Sequence, residues 1–503
     1  MRWRKKPRAD NRAEKPIDRT ERGSCNAGFA TDTRDPKELD VMKLSKPVSR
    51  RDFLGAATAA GAAGLAAPYF VPCSALAAPG QPGANDRIQI GLIGAGAMGT
   101  ANVKACAQYP DVAVTAICDV SKRKRDALAA SFESKPKTYN DYREVLQQPD
   151  VDAVIIATPH HWHCRMAVDA CEAGKDLYLQ KPMSLHLAES RVIKNAVLKH
   201  QRVCQNGTQI HASENYRRVV EWMRSGMLGK PAVVRTFLTS NEGNPPDGLG
   251  FPPDSDPPEG LDWDLWVGPG PMRKFNENIV KNGWSHTLFL DYGGGRTCGM
   301  ANHILDLPFW ALDLGFPTRV QSTSSKHCVH DNTDAPDTHE VTWEFPGVVM
   351  TWMMSQVSSF GFNLQDVERY AKHGAPMEKG VQRRLGYYIH AEKATIFGNY
   401  QTHKVVPQVA ELVGAEPPEQ TIPPSPGHER EWLDCIRSRA EPSCGVNYMH
   451  KVNTSNMLAN LAMKLRRELR FDPATEQIVG DDEAAKAARP EYRAPWKFPE
   501  EYL

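Results

Sequence analysis

The 503-residue chain has almost no net charge, no cysteine pair at metal-ligand spacing and no internal repeat. Its formal charge is +1, and basic residues outnumber acidic ones only in the first 52 positions, by 15 to nine, so the remainder is weakly acidic. Binding of nucleic acid or anionic lipid requires a basic surface, so we expect neither partner. The 11 cysteines are irregularly spaced, which argues against a disulfide scaffold and predicts no bound metal. Cys435 and Cys444 are close enough in sequence to form a bridge in an oxidising compartment.

Long apolar runs are also missing, and the one weakly apolar stretch follows a pair of arginines. Ser49-Arg50-Arg51-Asp52-Phe53-Leu54 precedes an Ala/Gly-rich run to Ala67, and Ala75-Leu76-Ala77 has the small residues of a cleavage site. We interpret residues 1–77 as an N-terminal extension with a twin-arginine signal peptide, which predicts export to the periplasm and no membrane attachment after cleavage. A membrane anchor is the alternative, but the stretch is short and rich in small residues. Translation starts at Met1 or at Met42, which precedes an ordinary signal start.

A glycine-rich turn lies between a strand-like run and a helix-like run. The apolar run Ile88–Ile93 leads directly into Gly94-Ala95-Gly96-Ala97-Met98-Gly99. In such a turn the first glycine allows the tight bend, the second lets the backbone approach a pyrophosphate, and the third lets the helix pack on the strand. Free N–H groups at the helix start favour the phosphates. The motif predicts a dinucleotide cofactor bound by these six residues, and a glycine turn without a ligand is the alternative.

Asp119 decides which dinucleotide is expected. It follows the strand-like run Val112–Cys118, where a carboxylate accepts hydrogen bonds from a ribose diol and repels a 2′-phosphate. We therefore predict NAD. Ser121, Lys122 and Arg123 follow closely and accommodate NADP if Asp119 turns away, so NADP stays open.

The order of apolar runs predicts two domains. Over residues 86–207, apolar runs such as Val151–Ala157 and Asp176–Leu179 alternate with helical stretches, which indicates an α/β Rossmann domain with a parallel sheet. Over residues 208–470, strand-like runs with no helix between them predict an α+β domain with a mainly antiparallel open sheet, followed by a tail over 471–503. The segment Asn241–Asn282 is too long for an ordinary connection, so we expect a substrate lid, a subunit contact or a poorly ordered segment.

Several chemically active side chains directly follow the predicted parallel strands. Thr158-Pro159-His160-His161-Trp162-His163 follows one strand, and Gln180-Lys181-Pro182 follows the next. Ligands bind at the carboxyl ends of strands in an open parallel sheet, so we expect these residues to share one crevice with the glycine turn. We assign Thr158, Pro159, His160, His163 and Lys181 to the cofactor, and His161 to the substrate. Packing at the start of a helix is the alternative for His161 and His163.

Five short motifs together resemble the glucose–fructose oxidoreductase and inositol dehydrogenase (Gfo/Idh/MocA) family. They are the glycine turn, Thr158-Pro159 with His163, Lys181-Pro182, Gly293-Gly294-Gly295 and His303-Ile304-Leu305-Asp306. The resemblance implies a Rossmann domain, a C-terminal α/β domain whose open sheet often mediates homo-oligomers, and an NAD(P)-linked reaction at a sugar-type alcohol. The tail, with Gly480-Asp481-Asp482-Glu483 and Tyr492-Arg493-Ala494-Pro495-Trp496, is similar to exported bacterial members of unassigned substrate.

Two positions depart from the pattern of that family. Gln180 replaces the glutamate that usually precedes the Lys-Pro pair, and Gly299 stands where the family has an aspartate four residues before its catalytic histidine, here His303. Asp291 and Asp306 are candidates for the missing carboxylate.

We predict Lys181 and His303 as the catalytic residues, both in contact with the substrate. Oxidation of a secondary alcohol by hydride transfer needs a base for the hydroxyl proton, and imidazole titrates in the useful pH range. Lys181 hydrogen-bonds the same oxygen and stabilises its developing negative charge. The alternatives are a buried helix histidine and an ordinary lysine at a strand end.

Three functions stay open. The leading prediction is an NAD(P)-dependent oxidoreductase that acts on a secondary hydroxyl of a sugar, polyol or glycoside and holds its cofactor tightly, since free nicotinamide is scarce in the periplasm. The second is an enzyme that cleaves glycosides by transient oxidation of a ring hydroxyl. The third is a non-catalytic carbohydrate-binding relic, which Gly299 suggests.

Overall fold

A computed structural model describes Gly83 and residues 86–357 and 383–503. The predicted signal peptide, its cleavage site and Met42 lie outside these residues. No helix within the described ranges has both the length and the apolar character needed to cross a bilayer. All nine cysteines in these ranges are free thiols, Cys435 and Cys444 among them.

The first domain is built on a six-stranded parallel sheet with the strand order β3-β2-β1-β4-β5-β6. The strands are β1 Ile88–Ile93, β2 Val112–Cys118, β3 Lys137–Tyr139, β4 Ala153–Ile156, β5 Asp176–Leu179 and β6 Cys204–Asn206. Its helices are α1 Ala97–Cys106, α2 Lys122–Ala130, α3 Tyr142–Leu146, α4 His163–Glu172 and α5 Leu187–Lys199. All four residues of β4 and all four of β5 are buried, as strands covered on both faces should be.

The second domain is built on a nine-stranded sheet with the order β13-β12-β11-β7-β10-β9-β8-β14-β15. Its strands are β7 Pro231–Ser240, β8 Arg319–Ser325, β9 Thr338–Phe345, β10 Val348–Ser355, β11 Arg383–Ala391, β12 Ala394–Gly398, β13 His403–Pro407, β14 Leu469–Asp472 and β15 Gln477–Ile478. Neighbouring strands run antiparallel except β7 and β10. The predicted fold class, a parallel Rossmann sheet followed by a mainly antiparallel one, is confirmed.

One face of the second sheet is covered by helices and the other is open. The second-domain helices are α6 Glu214–Arg224, α7 Trp263–Val267, α8 Glu277–Val280, α9 Leu290–Gly293, α10 Gly295–Met300, α11 Asn302–Leu312, α12 His428–Ser438, α13 Val446–Leu465 and α14 Asp482–Ala487. Side chains alternate between buried and accessible along β9 and β10, and the fully buried Trp343 and Trp352 belong to the large core. The open face carries Arg235, Gln321 and Tyr388. Its role in a homo-oligomer stays a prediction.

The long segment predicted over Asn241–Asn282 is folded. Helices α7 and α8 lie within it, and its aromatic side chains form a small apolar core of their own with residues that follow it. Trp263 and Trp266 stack with ring centroids 4.7 Å apart, and Phe275 meets Trp263 edge-on. We call residues 255–286 the strap, because they run across the carboxyl ends of the parallel strands.

Candidate active site

The glycine turn between β1 and α1 has the backbone that its spacing predicts. Gly94 has φ +100°, and a Cβ there would lie 2.5 Å from the carbonyl oxygen of Ala157. A Cβ on Gly99 would lie 2.0 Å from the carbonyl oxygen of Gly94, so only glycine lets the helix pack this close to the strand. A Cβ on Gly96 would meet no protein atom within 4 Å, because Gly96 borders a cavity. The turn therefore leaves room for a ligand at the N-terminus of α1.

A single cavity brings together nine of the predicted site residues at the carboxyl ends of the parallel strands. They are Gly94, Gly96, Ala97, Met98, Asp119, Thr158, Pro159, His160 and Lys181. The strap forms the opposite wall, with Leu265, Trp266 and Val280 among the lining residues. Gly283 lies directly over the glycine turn, since a Cβ there would be 3.6 Å from the Cβ of Ala97. The strap therefore covers this part of the cavity.

Asp119 combines a structural contact with a position on the cavity wall. Its carboxylate accepts hydrogen bonds from the backbone N–H groups of Ala95 and Ser121, each at 2.8 Å. Burial raises the pKa of Asp119 despite these bonds and the nearby Lys124. Each carboxylate oxygen keeps a second lone pair for a ribose hydroxyl. Arg123 and Lys124 also line the cavity, whereas Lys122 pairs with Asp126 outside it.

Lys181 is supported through its backbone by the glutamine that replaces the usual glutamate. The Gln180 side-chain oxygen accepts from the Lys181 N–H at 3.2 Å, and its amide donates to Asn102 at 2.7 Å. Asn102 in turn donates to Glu429. Gln180 is buried and hydrogen-bonded through both its side-chain oxygen and its side-chain nitrogen, so it fixes the strand end from which Lys181 projects.

Five predicted site residues do not line the cavity: Ala95, Gly99, His161, His163 and His303. Ala95 and Gly99 shape the turn. Both ring nitrogens of His163 lie on backbone carbonyls, at 2.7 Å from Pro182 and 3.0 Å from Thr158, so the ring joins the ends of β4 and β5. His161 is placed likewise between the carbonyls of Tyr292 and Trp266. Their packing at the helix start differs from the predicted contacts with cofactor and substrate.

His303 also differs from its predicted position. It lies at the start of α11, where its Nδ1 is 2.7 Å from the Tyr400 hydroxyl. The two candidate carboxylates are engaged elsewhere, because Asp291 pairs with Arg273 and Asp306 contacts His211. A Cβ on Gly299 would lie 3.3 Å from His160 Cε1, so the His160 ring occupies the space beside the position where the family has its aspartate.

His286 is a cavity residue that the sequence reasoning missed. It belongs to the short 3₁₀ turn Ser285–Leu288, lines the cavity together with Lys181, and meets the His160 ring edge-on at 5.0 Å. Its Nε2 is buried and has no hydrogen-bond partner among the described residues. Burial, reinforced by His161 and Lys181, lowers the pKa of His286 to about 3, so the ring is neutral at ordinary pH. No strand end marked this position in the sequence.

The residues present fit an adenine dinucleotide. Gly96 provides a cradle that any Cβ would fill, the ten-residue helix α1 begins beside it, and Asp119 stands at the end of β2. Lys181 and His286 both line this cavity.

A separate buried cluster joins His211, Asp306 and Cys444. Their ligand-type atoms lie within 4.8 Å of one another, and His211 Nε2 is 3.1 Å from Asp306 Oδ1. Although burial opposes it, the nearby Cys444 and Asp306 hold the pKa of His211 well above its usual range. A protonated His211 thus balances the buried carboxylate.

Comparison with known proteins matches both domains to one family. Residues 88–208 match the NAD-binding Rossmann fold of the GFO_IDH_MocA oxidoreductase family, and residues 375–498 match the C-terminal alpha/beta domain of the same family. The NAD prediction agrees with the first match.

The curated relatives match over part of the chain. An uncharacterized oxidoreductase of Bacillus subtilis, YrbE, is 30% identical over 161 residues, which is 32% of this chain and 46% of the relative. A glycosyl hydrolase family 109 protein of Shewanella baltica is 30% identical over 202 residues, covering 36% of this chain and 44% of the relative. The chain thus spans less than half the length of these relatives.

Solved structures share the fold over a larger part. The WlbA dehydrogenase from Bordetella pertussis, in complex with NADH and UDP-GlcNAcA, is 17% identical with a TM-score of 0.54 and covers 77% of this chain and 99% of its own. A levoglucosan dehydrogenase, in complex with NADH and levoglucosan, is 18% identical with a TM-score of 0.53 and covers 76% and 99%. The chain is thus similar to the Gfo/Idh/MocA oxidoreductase family over just under half of its length, at the NAD-binding Rossmann fold and at the C-terminal alpha/beta domain.

Proposed function

We propose that the protein oxidises a secondary hydroxyl of a sugar, polyol or glycoside with NAD that it retains between turnovers. The observation that carries this proposal is the single cavity that holds Gly96, Asp119, Lys181 and His286. A dinucleotide site and two polar groups suited to alcohol chemistry meet there. The levoglucosan and UDP-sugar complexes of proteins with this fold agree with a carbohydrate substrate.

The residues divide the chemistry between them. NAD, when bound, supplies the acceptor for the hydride. The Lys181 ammonium donates to the substrate hydroxyl oxygen and stabilises the negative charge that develops there. We assign acceptance of the hydroxyl proton to His286, since its Nε2 has no partner among the described residues. Its lowered pKa makes it a weak base, so the transfer depends on the Lys181 charge that stabilises the alkoxide. His286 takes the role that the sequence reasoning gave to His303.

Retention of the cofactor is supported by the strap. The strap lies over the glycine turn at Gly283 and over the end of β2, where the N–H of Lys122 donates to Gly260 and the N–H of Asp262 donates to Val120. A dinucleotide seated on the turn leaves only when the strap moves. Retained NAD must be regenerated on the protein, by reduction of a second carbonyl compound or by return of the hydride to the first substrate.

Native mass spectrometry of the purified protein tests the cofactor, with one NAD per chain as the expected result. Lys181→Met is expected to keep NAD and to lose at least about a hundredfold in turnover, the scale for removal of one charge-stabilising donor. Lys122→Met is the matched control, since that lysine pairs with Asp126 outside the cavity. Absence of affinity for both NAD and NADP would overturn the proposal.

A second candidate function is glycoside cleavage by transient oxidation, favoured by the relatives named glycosyl hydrolase family 109. Lys181 and a neutral base serve this reaction equally well. Aryl glycosides supplied without an oxidant discriminate the two: release of the phenol with no net NADH supports cleavage. If the unaltered protein turns over no carbohydrate in either assay, the result favours a non-catalytic carbohydrate-binding relic over both enzymes.

A further inference from the structure

The C-terminal residues Tyr492–Trp496, which we call the latch, cross back to the first domain and contact the strap. Arg493 makes four hydrogen bonds there. Its backbone N–H donates to Pro269 at 2.9 Å, its Nε to the Gly268 carbonyl at 2.9 Å, and its two terminal nitrogens to the side chain and carbonyl of Asp264 at 2.8 and 3.0 Å. The latch therefore holds the end of α7.

These bonds bring additional hydrogen-bond donors to the backbone carbonyl groups at the end of helix α7. Helix α7 has five residues, so most of its carbonyl groups have no partner within the helix. A helix this short is not stable alone and depends on contacts with other segments. Arg493 donates to the Gly268 carbonyl and adds a second donor to the Asp264 carbonyl, which also accepts from the Gly268 N–H. Its ion pair with the exposed Asp264 side chain adds little, so the carbonyl contacts matter more.

Trp496 anchors the other end of the latch on the first domain. Its ring meets Trp162 edge-on at 4.8 Å and lies on Tyr142 at 6.4 Å, with the Arg143 guanidinium 5.0 Å from the ring centroid. Trp162 donates its indole N–H to the Trp266 carbonyl of the strap at 2.9 Å. Trp162 and Trp266 both line the dinucleotide cavity.

The third contact reaches the loop that follows Lys181. The Tyr492 hydroxyl donates to Glu189 at 2.7 Å, and the Glu189 carboxylate accepts from the N–H groups of Leu185 and His186. Glu189 is fully buried, so the tyrosine hydroxyl completes its set of donors. Five consecutive residues thus tie together the strap, the turn after β4 and the loop after β5, which are three parts of the cavity wall.

We propose that the latch holds the strap closed over the dinucleotide and sets the rate at which the cofactor leaves. Arg493 and Trp496 are positioning residues, since they touch the walls of the site and not the ligand. This inference rests on the proposed function in one respect, that the cavity retains a dinucleotide. The latch thereby controls whether the enzyme retains its cofactor between turnovers or exchanges it.

The experiment measures NAD dissociation from the purified full chain by displacement, together with hydrogen exchange of the strap amides. Arg493→Ala removes three side-chain hydrogen bonds to the strap, and Trp496→Ala removes the ring contacts with Trp162 and Tyr142. Each is expected to raise the dissociation rate about tenfold. Exchange over residues 258–284 should quicken in both. The carbohydrate KM should change little. Trp496→Phe, which keeps an aromatic ring in the same place, should retain most of the wild-type behaviour.

Lys497→Ala is the matched control, since that residue is exposed and adjacent to Trp496. Should Arg493→Ala fold poorly, Arg493→Lys tests the same contact, because it keeps the charge but cannot reproduce the forked contacts of the guanidinium with the Gly268 and Asp264 carbonyls. The latch proposal would be overturned if the folded variants released NAD at the wild-type rate and their strap amides exchanged at the wild-type rate. If the wild type binds no dinucleotide, the proposed function fails separately, and strap exchange in the nucleotide-free proteins still tests the latch.

Discussion

Four histidines, three of them buried and His286 half-buried, stand at or beside the cavity, and their hydrogen-bond partners separate them into two kinds. His161 and His163 have both ring nitrogens on backbone carbonyls, so they join chain segments. His160 and His286 line the cavity, and the Nδ1 of His160 is hydrogen-bonded to the Gly293 carbonyl oxygen. Residue type alone could not separate these roles, because the separating fact is which atoms face each ring.

His286→Ala is expected to lower kcat about a hundredfold, the scale for loss of a general base. His303→Ala should lower it less than tenfold, since His303 contacts Tyr400 away from the cavity. Because the pKa of His286 is lowered to about 3, its ring stays neutral on acidification, and kcat/KM should show no inflection near pH 6.5 from this residue. Steady-state kinetics from pH 4.5 to 8 measure both.

His327→Ala, an exposed histidine, is the control for these kinetics. A larger loss in His303→Ala than in His286→Ala would restore His303 as the base.

The buried His211–Asp306 pair makes a pH-dependent contribution to stability. The pKa of His211 is raised in the folded state, so the folded protein binds this proton more tightly than the unfolded chain. The contribution is complete below about pH 6.5, the ordinary value for histidine, and is lost as pH rises through the folded pKa. His211→Asn should cost about 3 kcal/mol at pH 6 and less at higher pH. Urea unfolding of both proteins between pH 6 and 9 measures this difference, and parallel pH profiles would contradict it.

At the scale of elements, apolar runs predicted buried strands of the first domain and missed a largely exposed one. β1, β2 and β5 have the predicted bounds because their residues are apolar and covered. β3 was not predicted, since two of its three side chains are exposed and carry no apolar pattern. The helices of the strap were hidden by its prolines and glycines, and the aromatic residues that stabilise them are separated along the chain.

The glycine turn provides a test in which the fold and the ligand site respond separately. Gly96→Ala adds a methyl group where no protein atom lies within 4 Å, so the fold should persist while NAD affinity falls tenfold or more, about 1.4 kcal/mol. Gly99→Ala places a Cβ 2.0 Å from the Gly94 carbonyl oxygen, so the fold itself should lose about 2 kcal/mol or more. Calorimetric NAD titration and thermal unfolding distinguish the two. Gly315→Ala is the control, because it also has open space and lies outside the cavity. Equal losses of stability in all three variants would contradict this account.

In the molecule as a whole, segments that are far apart along the chain pack together. Trp432 and Leu433 of α12 belong to the same apolar cluster as Ile90 and Leu92 of β1, although more than 300 residues separate them. Arg430 pairs with Asp111 and Arg439 with Asp176 on the first domain. The sequence analysis assigned residues 208–470 to the second domain and predicted no helix at α12, and an amphipathic helix does not by itself specify its partner. The Rossmann domain is therefore completed by residues from the far end of the chain.

We propose that the protein works in the periplasm. The dependence of the dinucleotide site on distant parts of the chain bears on this proposal. A dinucleotide site whose walls include the strap, itself held by residues 492–496, is complete only after the whole chain has folded. The twin-arginine pathway carries folded proteins, so NAD bound in the cytoplasm would cross with the enzyme. The exported protein should begin near Ala78 and contain NAD when isolated from the periplasm. Replacing Arg50 and Arg51 together by lysine should leave it in the cytoplasm with the same NAD content and activity, because both residues precede the cleavage site. N-terminal sequencing of the fractions checks this, and a periplasmic protein that retains residues 49–54, or one that arrives without NAD, would contradict the account.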